Sequence, residues 1–225
     1  MFLSNYFTDM LALLQQQAQA EPDAIAYVLP GRIITYRRLW SRIERACARL
    51  QGEWGVRQGD IVAYIGNGHP DALILYFALQ RLNASLLPLE SLRPATALAY
   101  LREQKVSLVV HDDGMAFEAM NTRPLQRLLE DWCHFDAEAL DESPSNARLL
   151  LASDQGAVQS FSVDHLLSAM APQVTSVYVG DRIFSLPVLT DIILPALHAA
   201  KQLRFAATDS LNENNDMHLH QPTGS

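Results

Sequence analysis

Cysteine is scarce in this chain of 225 residues: there are two, Cys47 and Cys133. They make no CxxC pair and no Cys/His metal spacing. Cys47 falls on the apolar side of a helical pattern, which predicts a buried thiol rather than a reactive one. Basic residues are outnumbered, with 17 Lys and Arg against 25 Asp and Glu and a net charge of -8. Nonspecific nucleic-acid binding needs clustered Lys and Arg, so that class is excluded. No apolar run reaches the length of a membrane span. The start, Met1-Phe2-Leu3-Ser4-Asn5-Tyr6, has neither a basic n-region nor a small-residue cleavage site, so a cytoplasmic protein is expected. What the chain does have is apolar residues, 49% against 19% charged, enough for a proper core.

Apolar periodicity organises the first half. Phe2, Leu3, Tyr6, Phe7, Met10, Leu11, Leu13 and Leu14 predict an amphipathic helix over residues 2–19. Its polar face carries Gln15, Gln16 and Gln17 rather than Lys or Arg, which points to packing on the domain and not to a membrane surface. A strand is expected over 24–29, a Pro30-Gly31 turn, and a hairpin partner over 32–35. Thr35 is placed to cap the next helix, whose stripe is Leu39, Ile43, Ala46, Cys47 and Leu50.

Residues 61–65 are wholly apolar, as suits a parallel strand buried on both faces. Helices follow at 71–82 and 93–104, with strands at 85–89 and 107–111. Residues 112–146 read as a solvated acidic connection. Strand-like 148–151, helical 164–170, extended 174–179, helical 192–200 and a last strand at 203–206 complete the pattern. This alternation implies an α/β fold of βαβ units forming a mostly parallel sheet covered by helices on both faces. A folded domain over 1–207 and a flexible polar tail over 208–225 are expected.

Several stretches carry a family likeness. Glu21-Pro22-Asp23-Ala24-Ile25-Ala26 resembles an opening "PD..A". Gly31 with Ile34-Thr35-Tyr36-Arg37-Arg38-Leu39 resembles "G..(I/L)TY.EL". Residues 55–63 resemble "GV..GD.VA", and 79–89 resemble a segment ending in "GA...PL", with Asn83 at the usual glycine. Asp181-Arg182-Ile183-Phe184-Ser185-Leu186-Pro187 resembles "D.vl...P". In order and at this spacing, they resemble the N-terminal part of the AMP-dependent synthetase and ligase superfamily. That superfamily includes acyl-CoA and aryl-CoA ligases and the adenylation domains of nonribosomal peptide synthetases.

The resemblance implies an N-terminal subdomain of an adenylate-forming enzyme, with a phosphate loop T-S-G-[ST]-T-G-x-P-K-G. In such a loop glycines let backbone N–H groups approach phosphate oxygens, and hydroxyls and a lysine complete the cradle. Here Gly156 fits the last glycine of T-S-G-[ST]-T-G and His165 falls at the family histidine. Leu151 to Gln155, including Ser153 and Asp154, replace the Thr/Ser/Gly run. Val158, Gln159 and Ser160 replace proline, lysine and glycine. Loss of the lysine and gain of Asp154 are each worth on the order of 4 kcal/mol at ~4 Å and an effective dielectric of ~20, before screening. Both oppose triphosphate binding. The loop position (Ser153, Asp154, Gln155, Gly156, Gln159, His165) is therefore expected to be silent, with no cofactor, no metal site and no catalytic residue. The helix start near Asp164 is expected to hold an anion weakly at most.

After Pro187 the family often places an aromatic–His pair. Val188-Leu189-Thr190-Asp191 stands there instead, and His198 is expected to be an ordinary helix residue. Asp112-Asp113 reads as a solvated loop, His69 with Asp71 as a turn and helix N-cap, and Lys201 and Arg204 as surface charges. Ser153, Asp154 and His165 lack a G-x-S-x-G elbow, so no hydrolase is read from them.

The expected function is that of a pseudoenzyme: a half-length, non-catalytic relative acting through a protein partner in an acyl, polyketide or peptide biosynthetic pathway. The partner would be an enzyme, a carrier protein or a second copy. The alternative is a fragment of an acyl or aryl ligase, using ATP and releasing AMP-linked acid, active only with the missing half supplied. A ligand-binding module that kept an acyl pocket ranks behind both.

Overall fold

The computed structural model describes residues 10–90, 94–112, 121–130, 146–153, 157–174, 176–179 and 182–205. Its strands are β1 (Ile25–Leu29), β2 (Arg32–Thr35), β3 (Ile61–Ile65), β4 (Ser85–Pro88), β5 (Leu108–His111), β6 (Thr122–Pro124), β7 (Arg148–Ala152), β8 (Val158–Ser162), β9 (Tyr178–Val179) and β10 (Leu203–Phe205). Its helices are α1 (Met10–Ala20), α2 (Tyr36–Ala48), α3 (Ala72–Arg81), α4 (Pro94–Glu103), α5 (Val163–Ser168), α6 (Leu186–Val188) and α7 (Leu194–His198), the last two joined by a π-helical Leu189–Ile193.

The mostly parallel α/β architecture is as the sequence pattern predicts. The strands divide into two sheets, which local patterning does not reveal. The larger runs β6-β5-β3-β4-β7-β8, parallel except for the β7–β8 hairpin. The smaller runs β2-β1-β10-β9, where β1, β10 and β9 are parallel and β2 closes a hairpin.

Alternation decides which side of each strand meets which layer. In the larger sheet Val62, Tyr64, Leu86 and Val110 point to the main core, shared with α2 and α3. Ala63, Ile65, Leu87 and Val109 point the other way, onto Ala97, Tyr100 and Leu101 of α4. Both faces are thus covered, as a parallel sheet requires. The smaller sheet sends Tyr27, Ile34, Leu203 and Phe205 into the main core, with Tyr27 and Phe205 edge to face at 5.6 Å. Each fully buried aliphatic side chain there contributes roughly 1.5–3 kcal/mol before entropy is counted.

Local signals hold where they are chemical. Thr35 caps α2, its hydroxyl accepting from the Arg38 N–H at 3.4 Å. Cys47 is buried, its thiol donates to the Ala78 carbonyl at 3.5 Å, and burial pushes it up to about 12. Two expectations need correction. The connection 112–146 is not solvated throughout: β6 adds an edge strand, and Leu125 and Leu128 of the following turn are buried apolar anchors. Asp71 stands at the N-cap of α3 without capping through its side chain. Its carboxylate instead takes Arg32 at 2.6 and 2.8 Å and Arg42 at 3.4 Å, with the Tyr27 hydroxyl at 3.4 Å. That ion cluster ties β1, β2 and α2 to α3. The tail 208–225 and Cys133 lie outside the described residues.

Candidate functional site

Parallel strands β5, β3, β4 and β7 lie side by side in that order, so their C-terminal ends share one edge of the larger sheet. Crevices at such an edge are where open α/β sheets bind ligands. The residues reaching it, in spatial order, are Asp112 after β5, Gly66 and Asn67 after β3, Glu90 after β4 and Ser153 after β7.

At the β3–β5 end, Asp112 accepts from the Tyr64 hydroxyl at 2.9 and 3.0 Å and from the Asn67 N–H at 2.9 Å. Tyr64 in turn accepts from the His69 N–H at 3.0 Å. Gly66 is glycine because a Cβ there would overlap the Asp112 carboxylate and the Tyr64 hydroxyl. Asp112 is therefore half-buried and held by two donors, the Tyr64 hydroxyl and the Asn67 N–H, and is not a solvated loop residue; Asp113 lies outside the described residues. His69 does serve the turn, its Nδ1 accepting from the Asp71 N–H at 3.1 Å.

Glu90 is the group sequence reasoning missed. Its Oε2 accepts from the Phe184 N–H at 3.3 Å, and its Oε1 is buried with no hydrogen-bond partner among the described residues. Burial pushes its carboxyl up to about 7, Asp112 adds to the rise, and the Phe184 N–H and Arg182 oppose it. Phe184 packs edge to face on Tyr64 at 6.0 Å and on Tyr76 at 5.9 Å. The tyrosine inside the otherwise apolar β3 was a signal for Asp112, the partner of its buried hydroxyl, and no local signal marked Glu90.

At the β7 end the phosphate-loop position is a hairpin. Leu151 pairs with Gln159 and Ala152 with Val158, antiparallel. Residues 158–162, to which the sequence pattern assigns no element, form the strand β8 that pairs back on β7. Ser153 closes the turn, its N–H donating to the Ala157 carbonyl at 2.8 Å and its hydroxyl accepting from the Ala157 N–H at 3.1 Å. The Tyr100 hydroxyl donates to the Ser153 carbonyl. Asp154, Gln155 and Gly156 lie outside the described residues.

Gln159 is exposed and shares a hairpin face with Phe161, against which the His165 ring lies at 5.4 Å. The structure thus gathers Gln159 and His165 beside Phe161 and sets Ser153 at the turn. At the start of α5 the Ser162 hydroxyl caps the helix, accepting from the His165 N–H at 3.2 Å. Thr190, after Pro187, donates to the Leu186 carbonyl at 3.0 Å and to Asp191 at 2.9 Å.

The chain has two lysines, Lys105 and Lys201. Lys105 precedes β5 and so lies at the opposite edge of the larger sheet, while Lys201 precedes β10 in the smaller one. Among the described residues, the crevice edge is therefore bordered by two carboxyl groups and by the β7–β8 hairpin, which carries no lysine. Among the described residues no cluster of three His, Cys, Asp or Glu side chains could hold a metal ion. No helix among them is long and apolar enough to cross a membrane.

Residues 14–173 match the AMP-binding enzyme family. The chain belongs to that family. The D-alanine–D-alanyl carrier protein ligase of Bacillus licheniformis is 26% identical over 110 residues, covering 48% of this chain and 22% of that protein. An artificially fused adenylation–PCP di-domain from Klebsiella oxytoca superposes with a TM-score of 0.73 at 18% identity, over 90% of this chain and 40% of that one. O-succinylbenzoate coenzyme A synthetase from Bacillus subtilis gives a TM-score of 0.72 at 16% identity, over 86% of this chain and 45% of that one. The fold is that of the N-terminal subdomain of adenylate-forming enzymes, and the chain spans less than half the length of these relatives.

Proposed function

We propose that this protein is a non-catalytic member of the AMP-binding family, a cytoplasmic pseudoenzyme that acts by docking a protein partner in an acyl, polyketide or peptide biosynthetic pathway. One observation carries the reading: the phosphate-loop position is a short hairpin whose Ser153 hydroxyl is committed to the Ala157 N–H. Its surroundings agree. Gln159 stands where the family lysine belongs, and Glu90 and Asp112 border the same edge. A triphosphate brought there would meet negative charge without a lysine to offset it.

Relatives whose names include a carrier protein supply the partner class. Ser153, Asp154, Gln155, Gly156, Gln159 and His165 are then the remnant of a nucleotide site. We take 1–207 as the folded unit and 208–225 as a polar tail. Calorimetric titration with magnesium-ATP tests the reading. The expected result is no saturable heat at ligand concentrations up to about 1 mM, the range of the weakest physiological affinities. Saturable binding displaced by AMP would overturn it.

A further inference from the structure

Two segments far apart in sequence meet at Glu90. Glu90 follows β4 at the crevice edge of the larger sheet, and residues 182–188 lead into and form α6. Among the described residues one hydrogen bond ties 182–188 to that edge, from the Phe184 N–H to the Glu90 Oε2 at 3.3 Å. The segment's other hydrogen bonds run within it or to the π-helical turn that follows. The rest of the contact is aromatic, Phe184 standing edge to face on Tyr64 of β3 and on Tyr76 of α3.

The group that makes this one bond is short of donors. Its Oε1 is buried with no hydrogen-bond partner among the described residues. A neutral carboxyl there leaves a weak bond unmade, whereas a carboxylate leaves a charge out of water. The surrounding charges do not cancel that cost. Asp112, after β5, has the same sign and adds to it. Arg182 opposes it, but belongs to the segment itself. The Tyr64 hydroxyl is engaged by Asp112 and keeps its proton, since burial pushes it up. His69 reaches this group through its backbone N–H to Tyr64, and the His111 Nδ1 lies against the Asp112 carbonyl at 2.7 Å. Arg93 and Asp181 lie outside the described residues.

We propose that Glu90 is a pH-sensitive latch between the larger sheet and residues 182–188. It is closed while the carboxyl is neutral. When the carboxyl ionises the latch loosens, Phe184 lifts from Tyr64 and Tyr76, and the crevice edge opens. This holds whether or not the chain turns over nucleotide.

The sign follows from the two protonation equilibria. In the open form water reaches Oε1 and the carboxyl titrates as a free glutamate does, at 4.5; in the closed form it titrates at about 7. The closed form keeps its full advantage below about pH 4.5 and loses it as pH rises through 7. The open population grows by at most tenfold per pH unit over that interval, about 300-fold in all. It stays a minority, because the buried Ile183 and Phe184 must leave the core.

Amide hydrogen exchange of the full chain between about pH 5 and pH 8, read at single residues, tests the latch. With the intrinsic rise in exchange rate divided out, protection of the Phe184 amide should fall by about tenfold or more across that range. The fall should depend weakly on added urea, since a local opening exposes little surface, while the Ala63 amide of β3 exchanges with the steep urea dependence of global unfolding. Glu90→Gln keeps an oxygen for the Phe184 N–H and should hold its protection flat with pH. Histidine also titrates in this range, and any effect of His69 or His111 would survive in that variant. Phe184 protection unchanged with pH, a fall that persists in Glu90→Gln, or one that follows urea as steeply as Ala63 would each overturn the inference. The pH and urea series on the unaltered chain gives the first and third of these outcomes without the variant.

Discussion

Replacing Glu90 by Gln should stabilise the protein in mild alkali and do nothing in acid. The Glu90 carboxyl is held near 7 in the fold against 4.5 for a free glutamate. Burial is the main cause, since the charged form loses water and its Oε1 finds no donor among the described residues. A group whose folded pKa is raised binds its proton more tightly in the native state than in the unfolded chain. Below about pH 4.5 it is neutral in both states and costs nothing. Stability is then lost as pH rises from 4.5 to 7, and the penalty is complete above that.

The gap between the two values corresponds to ~3 kcal/mol at most, at about 1.4 kcal/mol per pH unit. Gln keeps an oxygen for the Phe184 N–H and never ionises. Glu90→Gln should therefore raise stability by roughly 1–3 kcal/mol at pH 8, or about 2–12 °C in Tm for a chain of this size. Its effect at pH 4.5 should be close to zero. Paired urea and thermal melts at the two pH values read this directly. A variant equally or less stable than the parent at pH 8, or one shifted by the same amount at both, would refute the reasoning.

Two further perturbations probe the packing. Asp71→Asn strips the charge partner from Arg32 and Arg42, whose side chains are 39% and 19% exposed, and should cost about 2 kcal/mol, less than a fully buried pair because water reaches Arg32; a loss under about 0.5 kcal/mol in urea melts would deny the cluster its role in tying β1, β2 and α2 to α3. Gly66→Ala pushes a methyl into the Asp112 carboxylate and the Tyr64 hydroxyl and should cost roughly 1–3 kcal/mol, and Gly66→Ala combined with Tyr64→Phe and Asp112→Ala should recover part of it, which independent effects would not.

Much of the fold was legible because its signals are local. The Thr35 cap, the apolar run Ile61–Ile65 and the turn at Pro30-Gly31 each follow from chemistry within a few residues. The partition into two sheets was not legible, since Tyr27 pairs with Leu203 far along the chain and no local pattern encodes that choice. β8 was hidden for a different reason. Val158-Gln159-Ser160-Phe161-Ser162 has no apolar–polar alternation, and it is the pairing with β7 that makes it a strand. Of the candidate loop residues, Ser153 and Gln159 lie in the β7–β8 hairpin and His165 in α5. Glu90 and Asp112 gain their meaning only when parallel pairing sets the ends of β3, β4 and β5 side by side.

The central claim, that a family scaffold has lost its nucleotide chemistry, is tested most directly by ATP–pyrophosphate exchange. The purified chain would be assayed across amino, fatty and aromatic acids, beside a variant with residues 151–156 restored to Thr-Ser-Gly-Ser-Thr-Gly and Gln159→Lys. The account predicts no acid-dependent exchange by the parent chain, with magnesium-ATP binding gained by the restored variant. Acid-dependent exchange by the unaltered chain would contradict it.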